Sequence, residues 1–193
     1  MGSIYNPAFG GRLGAGLDVP RQLFVHGYLL MGDRKMSKSV GNVIDPLDLI
    51  DVYGVDPVRY YLFRAASFGQ DGNISVDGLH ERYERELGND LGNLLSRTTA
   101  MIARYRGGTI PAGPGSPELA GELDRLAPRV GERLDAYDLT GALDEIWEIV
   151  RAFNRHVEHS SPWELAKDDA RVADLDRVLF DLADGLRVLA IVL

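Results

Sequence analysis

The chain has 193 residues, 45% of them hydrophobic, with 29 acidic against 21 basic side chains and a formal charge of −8. That content supports one large or two small domains with packed cores, and the acidic balance argues against a protein that coats nucleic acid indiscriminately, although a local basic face can still hold phosphates. With no cysteine and 4 scattered histidines lacking ligand spacing, neither a disulfide framework nor a metal site is expected.

No run approaches the roughly 20 apolar residues of a bilayer-crossing helix, and no secretory pattern opens the chain. "MGSIYN" starts like a myristoylation signal but has Asn6 where Ser or Thr is needed. A cytoplasmic protein with no membrane partner is expected. The first 20 residues, with 5 glycines and 2 prolines and no apolar period, predict a flexible leader.

"RQLFVHGYLL" at 21–30 is rich in aromatic and aliphatic residues and predicts a strand pair, or a strand and turn. It leads into "GDRKMSKSVGNVIDP" at 32–46, which gathers Arg34, Lys35 and Lys38 between Gly32 and Gly41. Such a loop is compatible with a solvated turn. That is the favoured reading of the residues alone, but the loop is also able to close over a polyphosphate, because ammonium groups stabilise charge developing on phosphate oxygens and the hydroxyls of Ser37 and Ser39 add hydrogen bonds. It lacks the residue order of a Walker A loop.

Two helix starts follow, Asp45 then Pro46 and Asp56 then Pro57, each an N-cap acid before a proline whose missing N–H costs nothing in the first turn. The first helix should stop at Gly54 and the second near the turn "FGQDGN", closing an α-rich unit with a small sheet near residue 75. From Val76 the pattern changes to long amphipathic helices. One stripe runs through Leu87, Leu91, Leu94, Thr98, Met101 and Tyr105, and "RGGTIPAGPGSP" interrupts it as a loop. A second runs through Leu143, Ile146, Trp147, Val150, Phe153 and Val157, and a third through Val172, Leu175, Leu179, Leu182, Leu186 and Leu189. Together they predict a helical bundle, whose last helix carries no stop signal, so that the chain is expected to end inside an element.

Asn93 and Arg97 are four apart and share a helix face beside the leucine stripe, either simply solvated or free to contact a ligand. "SSPWELA" predicts a capping box with Ser161 at N-cap, Pro162 at N1 and Glu164 at N3. Trp163 is then on the first turn, either exposed or stapled to a neighbouring helix. Arg151 and Arg155 could touch phosphates. His26 ends the predicted strand near the loop, as a structural histidine or as one approaching a nucleotide; His80, His156 and His159 belong to no predicted site.

Lys35–Met36–Ser37–Lys38–Ser39 followed by "VGNVIDP" resembles the signature loop of class I aminoacyl-tRNA synthetases, and "YGVDPVRYYLFR…FGQDGNIS", "ELGNDLGNLLSRT" and "PWELAKD" are similar to the methionyl-tRNA synthetase family. The resemblance runs from about residue 15 to the end of the chain. It implies a mainly α protein: a leader over 1–20, the end of the catalytic fold with a small α/β stem-contact unit and the KMSKS loop over 21–75, and a helical anticodon-binding domain over 76–193, expected to be truncated at its C-terminus. It implies that Lys38, assisted by Lys35, acts catalytically on the phosphates of magnesium-bound ATP, the substrate. Met36, Ser37 and Ser39, with His26 more weakly, would complete ATP binding.

It further implies that Asn93 and Arg97 hydrogen-bond to unstacked anticodon bases and that Trp163 stacks on one. The partners would be ATP and tRNA(Met), with methionine held by a catalytic half that carries a His-x-Gly-His element absent from this sequence. The implied function is therefore a portion of a methionine-tRNA ligase, expected not to form methionyl-adenylate alone and to leave apolar surface uncovered on residues 21–60. The alternative is a catalytically inactive tRNA-binding module.

Overall fold

The computed structural model describes residue 16 and residues 27–31, 34–35, 44–67 and 69–193, with Arg34 and Lys35 as backbone only. His26, Met36, Ser37, Lys38 and Ser39 lie outside these residues.

A three-stranded sheet starts the described fold. β1 (Leu29–Met31) lies between β2 (Arg34–Lys35), which runs antiparallel to it, and β3 (Gly72–Asn73), which runs parallel. A parallel pair needs a crossover, and α1 (Pro46–Tyr53) and α2 (Val55–Ala65) lie on it. Lys35, the first residue of the signature loop, therefore sits on an edge strand.

α1 starts as its sequence predicts: the Asp45 carboxylate accepts from the Leu47 N–H at 2.9 Å, Pro46 follows, and Gly54 ends the helix. α2 starts differently. Gly54, at φ 86°, serves as C-cap of α1 and N-cap of α2, so Asp56 lies inside the first turn and caps nothing. A single residue suffices for the turn because glycine accepts positive φ. Val58, Tyr61, Ile74 and Leu79 close a small core here, the last from α3 (Val76–Arg82).

The larger core belongs to the bundle. α4 (Asn93–Arg106), α5 (Pro117–Asp135), α6 (Leu139–Ser160) and α8 (Val172–Val192) pack on one another around Trp147, which is fully buried with Phe153, Leu94, Leu126 and Leu182. The second stripe is buried from Ile146 to Val157, whereas Val172 of the third is exposed, because α8 only begins there after a 3-10 turn (Asp169–Arg171). α5 has no counterpart among the predicted stripes, although Leu119, Leu123, Leu126 and Val130 repeat at helical spacing and face the core. Its proximity to the Gly/Pro-rich loop and its internal Pro128 mask that period.

One close approach fixes α8 on α6: a Cβ on Gly185 would lie 2.4 Å from Phe153 Cε1. Tyr60 of α2 reaches into the larger core and stacks, tilted, on Trp147 with centroids 4.7 Å apart. α2 thus contributes to both cores.

Candidate nucleic-acid interface

The bundle brings three of the singled-out residues together. α6 ends at Ser160, and Ser161 adopts a left-handed conformation at φ 43° and ψ 60°. The chain reverses there and enters α7 (Pro162–Leu165), whose Pro162 and Leu165 are buried while Trp163 and Glu164 face outward. The predicted capping box does not form. An N-cap side chain needs extended backbone to reach the free N–H groups, and left-handed Ser161 instead donates its hydroxyl to the Glu158 carbonyl at 3.0 Å. The Glu164 carboxylate, which should have reached back to the cap, pairs with Lys167 at 2.7 Å.

Trp163 is 37% exposed. The Arg97 guanidinium lies over its indole, with Cζ 5.8 Å from the ring centroid. The same guanidinium is held by Glu158, Nη1 to Oε1 at 2.7 Å. Asn93, one helical turn before Arg97, is exposed and has no side-chain hydrogen bond among the described residues. An aromatic face, a planar cation and a free amide on one surface form a combination suited to an unstacked base: the ring and the guanidinium offer stacking planes, and the amide offers donor and acceptor.

Arg151 and Arg155 lie on α6, both exposed and without an ion pair among the described residues. Of the histidines, His80 bridges Tyr53 and Glu84, and His159 contacts the Arg155 carbonyl. His156 is half-buried with Nε2 3.6 Å from Asp181. Asp181 is itself buried and accepts from the backbone N–H and hydroxyl of Ser116, at 2.8 and 2.6 Å, at the start of α5. No helix among the described residues is long and apolar enough to cross a membrane, and no cluster of metal-ligating side chains occurs among them.

A second polar network joins α2, α3 and the segment that leads into α4. Glu86 accepts from the Tyr60 hydroxyl, from Arg64 Nε at 3.3 Å and Nη2 at 3.2 Å, and from Arg82 Nη1 at 2.8 Å. Burial opposes ionisation of Glu86, but the hydrogen bonds from Arg64 and Tyr60 outweigh it and hold the carboxyl below its usual range. Burial and the bond to Glu86 together push the Tyr60 phenol well above its usual range. Beside the network is an open groove of about 720 Å³, lined by Arg85, Asp90 and Arg151 among others.

A family model described as tRNA synthetases class I (M) matches residues 2–99, just over half of the chain. The chain belongs to the methionyl-tRNA synthetase family. The methionine-tRNA ligase of Caldanaerobacter subterraneus is 42% identical over 182 residues, which cover 92% of this chain and 28% of that protein. The Bacillus subtilis methionine-tRNA ligase is 42% identical over 185 residues, covering 92% of this chain and 27% of that protein. Among solved structures, Mycobacterium tuberculosis methionyl-tRNA synthetase in complex with methionyl-adenylate superposes with a TM-score of 0.87 at 36% identity, covering 96% of this chain and 37% of that one. The apo form of the same synthetase gives 0.82 at 32% identity, covering 96% and 36%.

The chain therefore spans little more than a quarter of the length of these curated relatives. Methionyl-tRNA synthetases are class I ligases of protein biosynthesis with ATP as substrate, and the mainly α architecture described above is shared with the solved members. Within that family frame, sequence reasoning did not find Glu158 or Glu86. Nothing in the spacing of a carboxylate five residues before Trp163 connects it to a guanidinium on another helix.

Proposed function

We propose that this chain supplies two parts of a methionine-tRNA ligase: the loop that clamps the ATP phosphates and the face that reads the tRNA(Met) anticodon. Lys38, with Lys35, would stabilise charge developing on pyrophosphate as methionine attacks the α-phosphate. Met36, Ser37 and Ser39 would line ATP, and His26 would approach the adenosine. Asn93 and Arg97 would hydrogen-bond to unstacked bases while Trp163 stacks on one. The observation that carries the reading is the stacking of Arg97 over an exposed Trp163, one turn from Asn93, whose amide has no partner among the described residues.

In this reading residues 1–20 form a leader, 21–75 the loop-bearing stem-contact unit and 76–193 the anticodon domain, in a cytoplasmic protein. The test is binding of an RNA hairpin with a CAU loop, expected to exceed binding of the same stem with a scrambled loop. Equal affinity for the two hairpins would overturn it.

A second reading, a tRNA-binding module without activity of its own, rests on the same Arg97–Trp163 platform. Methionine-dependent ATP–pyrophosphate exchange separates the two. Exchange restored when the N-terminal part of a relative is added supports the ligase portion, and persistent inactivity with retained hairpin binding supports the module.

A further inference from the structure

Immediately before Asn93 the backbone departs from α geometry. Tyr83–Gly92 form a π-helix of ten residues, which runs without interruption into α4. π geometry is rare, appears mostly as single-turn bulges and is frequent at functional sites. A run of this length needs tertiary partners, and two sets are present.

Glu86, in the middle of the run, gathers donors from Tyr60 and Arg64 of α2 and Arg82 of α3. Arg64 also reaches Asp144 of α6, so one guanidinium spans the π-helix and the bundle. Further along the run Asn154 of α6 donates Nδ2 to the Asp90 carbonyl at 2.9 Å. Within the run itself, a Cβ on Gly92 would lie 3.0 Å from the carbonyl oxygen of Leu87, five residues earlier. Leu87 and Leu91 meanwhile pack against the larger core.

We propose that Glu86 is a positioning residue for RNA recognition: by pinning the π-helix to α2, it fixes the rotation of α4 that presents Asn93 and Arg97 beside Trp163. A π-turn closes its hydrogen bonds one residue later than an α-turn. Relaxation of this segment to α geometry therefore turns the start of α4 about its own axis and moves Arg97 off the indole. Glu86 acts from inside, with its side chain 19% exposed and directed at Arg64 and Arg82. This inference rests on the reading of Asn93, Arg97 and Trp163 as an anticodon face, and it links that face to α2, the second helix after the signature loop.

The test compares Glu86→Gln, Glu86→Asp and Asn154→Ala in the full chain, by amide hydrogen exchange and by affinity for the CAU hairpin across a salt series. Glu86→Gln keeps the volume but places an amide donor against arginine donors. It is expected to speed exchange over residues 87–97 while leaving α8 unchanged, and to weaken hairpin binding by about tenfold. The slope against salt should not change, because no phosphate contact is lost. Glu86→Asp should recover part of the affinity. Asn154→Ala, which leaves the Glu86 network intact, should reproduce the pattern more weakly and decides the matter if Glu86→Gln does not fold.

Unchanged exchange over Asn93–Arg97, or faster exchange with undiminished binding, overturns the positioning role alone. A wild-type chain that does not distinguish the CAU hairpin from a scrambled one overturns the anticodon reading, and this inference with it.

Discussion

Arg97 and Trp163 meet from different helices, the guanidinium carbon 5.8 Å from the indole centroid, and Glu158 holds the arginine in place from the end of α6. Trp163 is part-exposed, while its neighbours Pro162 and Leu165 on α7 are buried. Because the platform is built on side chains that contribute little to the core, its removal should be readable separately from folding.

Trp163→Ala is expected to weaken CAU-hairpin binding by the worth of one base stack, about 1–3 kcal/mol. At about 1.4 kcal/mol per tenfold, that is between a few-fold and about a hundredfold. Trp163→Phe should retain most of the affinity. The melting temperature should change little in either variant, and a fall comparable to that of a core truncation would mean that the indole is a packing residue.

Arg97→Lys tests the planar cation. Lysine keeps the charge but lacks the flat, forked guanidinium that can lie over a ring while bonding to Glu158. Hairpin affinity should fall while its salt dependence stays as in the wild type. An unchanged affinity would show that only charge matters at this position. The Arg97–Glu158 pair is largely exposed and worth at most about 1 kcal/mol to folding, so stability is expected to be nearly unaltered.

Gly185→Ala addresses the core. Its Cβ would sit 2.4 Å from the Phe153 ring, which is itself fully buried and unable to yield. Overpacking of this kind costs about 1–3 kcal/mol, and each kcal/mol lowers the melting temperature by about 2–4 °C in a chain of this size. A scanning-calorimetry trace equal to that of the wild type would contradict the packing described.

Acid should destabilise the bundle through His156. Burial pushes the imidazole below its ordinary pKa, with Asp181 opposing and His159 adding to the shift. The folded state then binds fewer protons than the unfolded chain, so the stability present above the ordinary histidine value of about 6.5 is lost as pH falls through the folded value. Melting curves between about pH 7.5 and 5.5 should show this decline, and His156→Gln should flatten it. An identical decline in the variant would assign the effect elsewhere.

Lys38→Ala tests the loop. In methionine-dependent pyrophosphate exchange by this chain together with the N-terminal part of a relative, kcat should fall more than ATP affinity, because the ammonium acts on charge that develops in the transition state. A change confined to the KM for ATP would make Lys38 an ordinary ground-state ligand.

Much of this was legible before any coordinates. The KMSKS segment, the Asp45 cap, the stop at Gly54 and the stripes through Leu94, Trp147 and Leu179 are local signals: a cap reaches two residues and a helical period four, so adjacent sequence suffices to read them. Resemblance singled out Asn93, Arg97 and Trp163, and the helical period placed the first two on one face. Tertiary structure alone decided that Arg97 lies on Trp163 and bonds to Glu158, that left-handed Ser161 forgoes its capping box, and that Asp181 holds Ser116 just ahead of α5. It also decided that Tyr83–Gly92 widens into a π-helix around Glu86. The physical reason is common to all four: helix rotation and turn geometry are set by partners distant in sequence, and a π-turn and an α-turn can share one composition until packing selects between them.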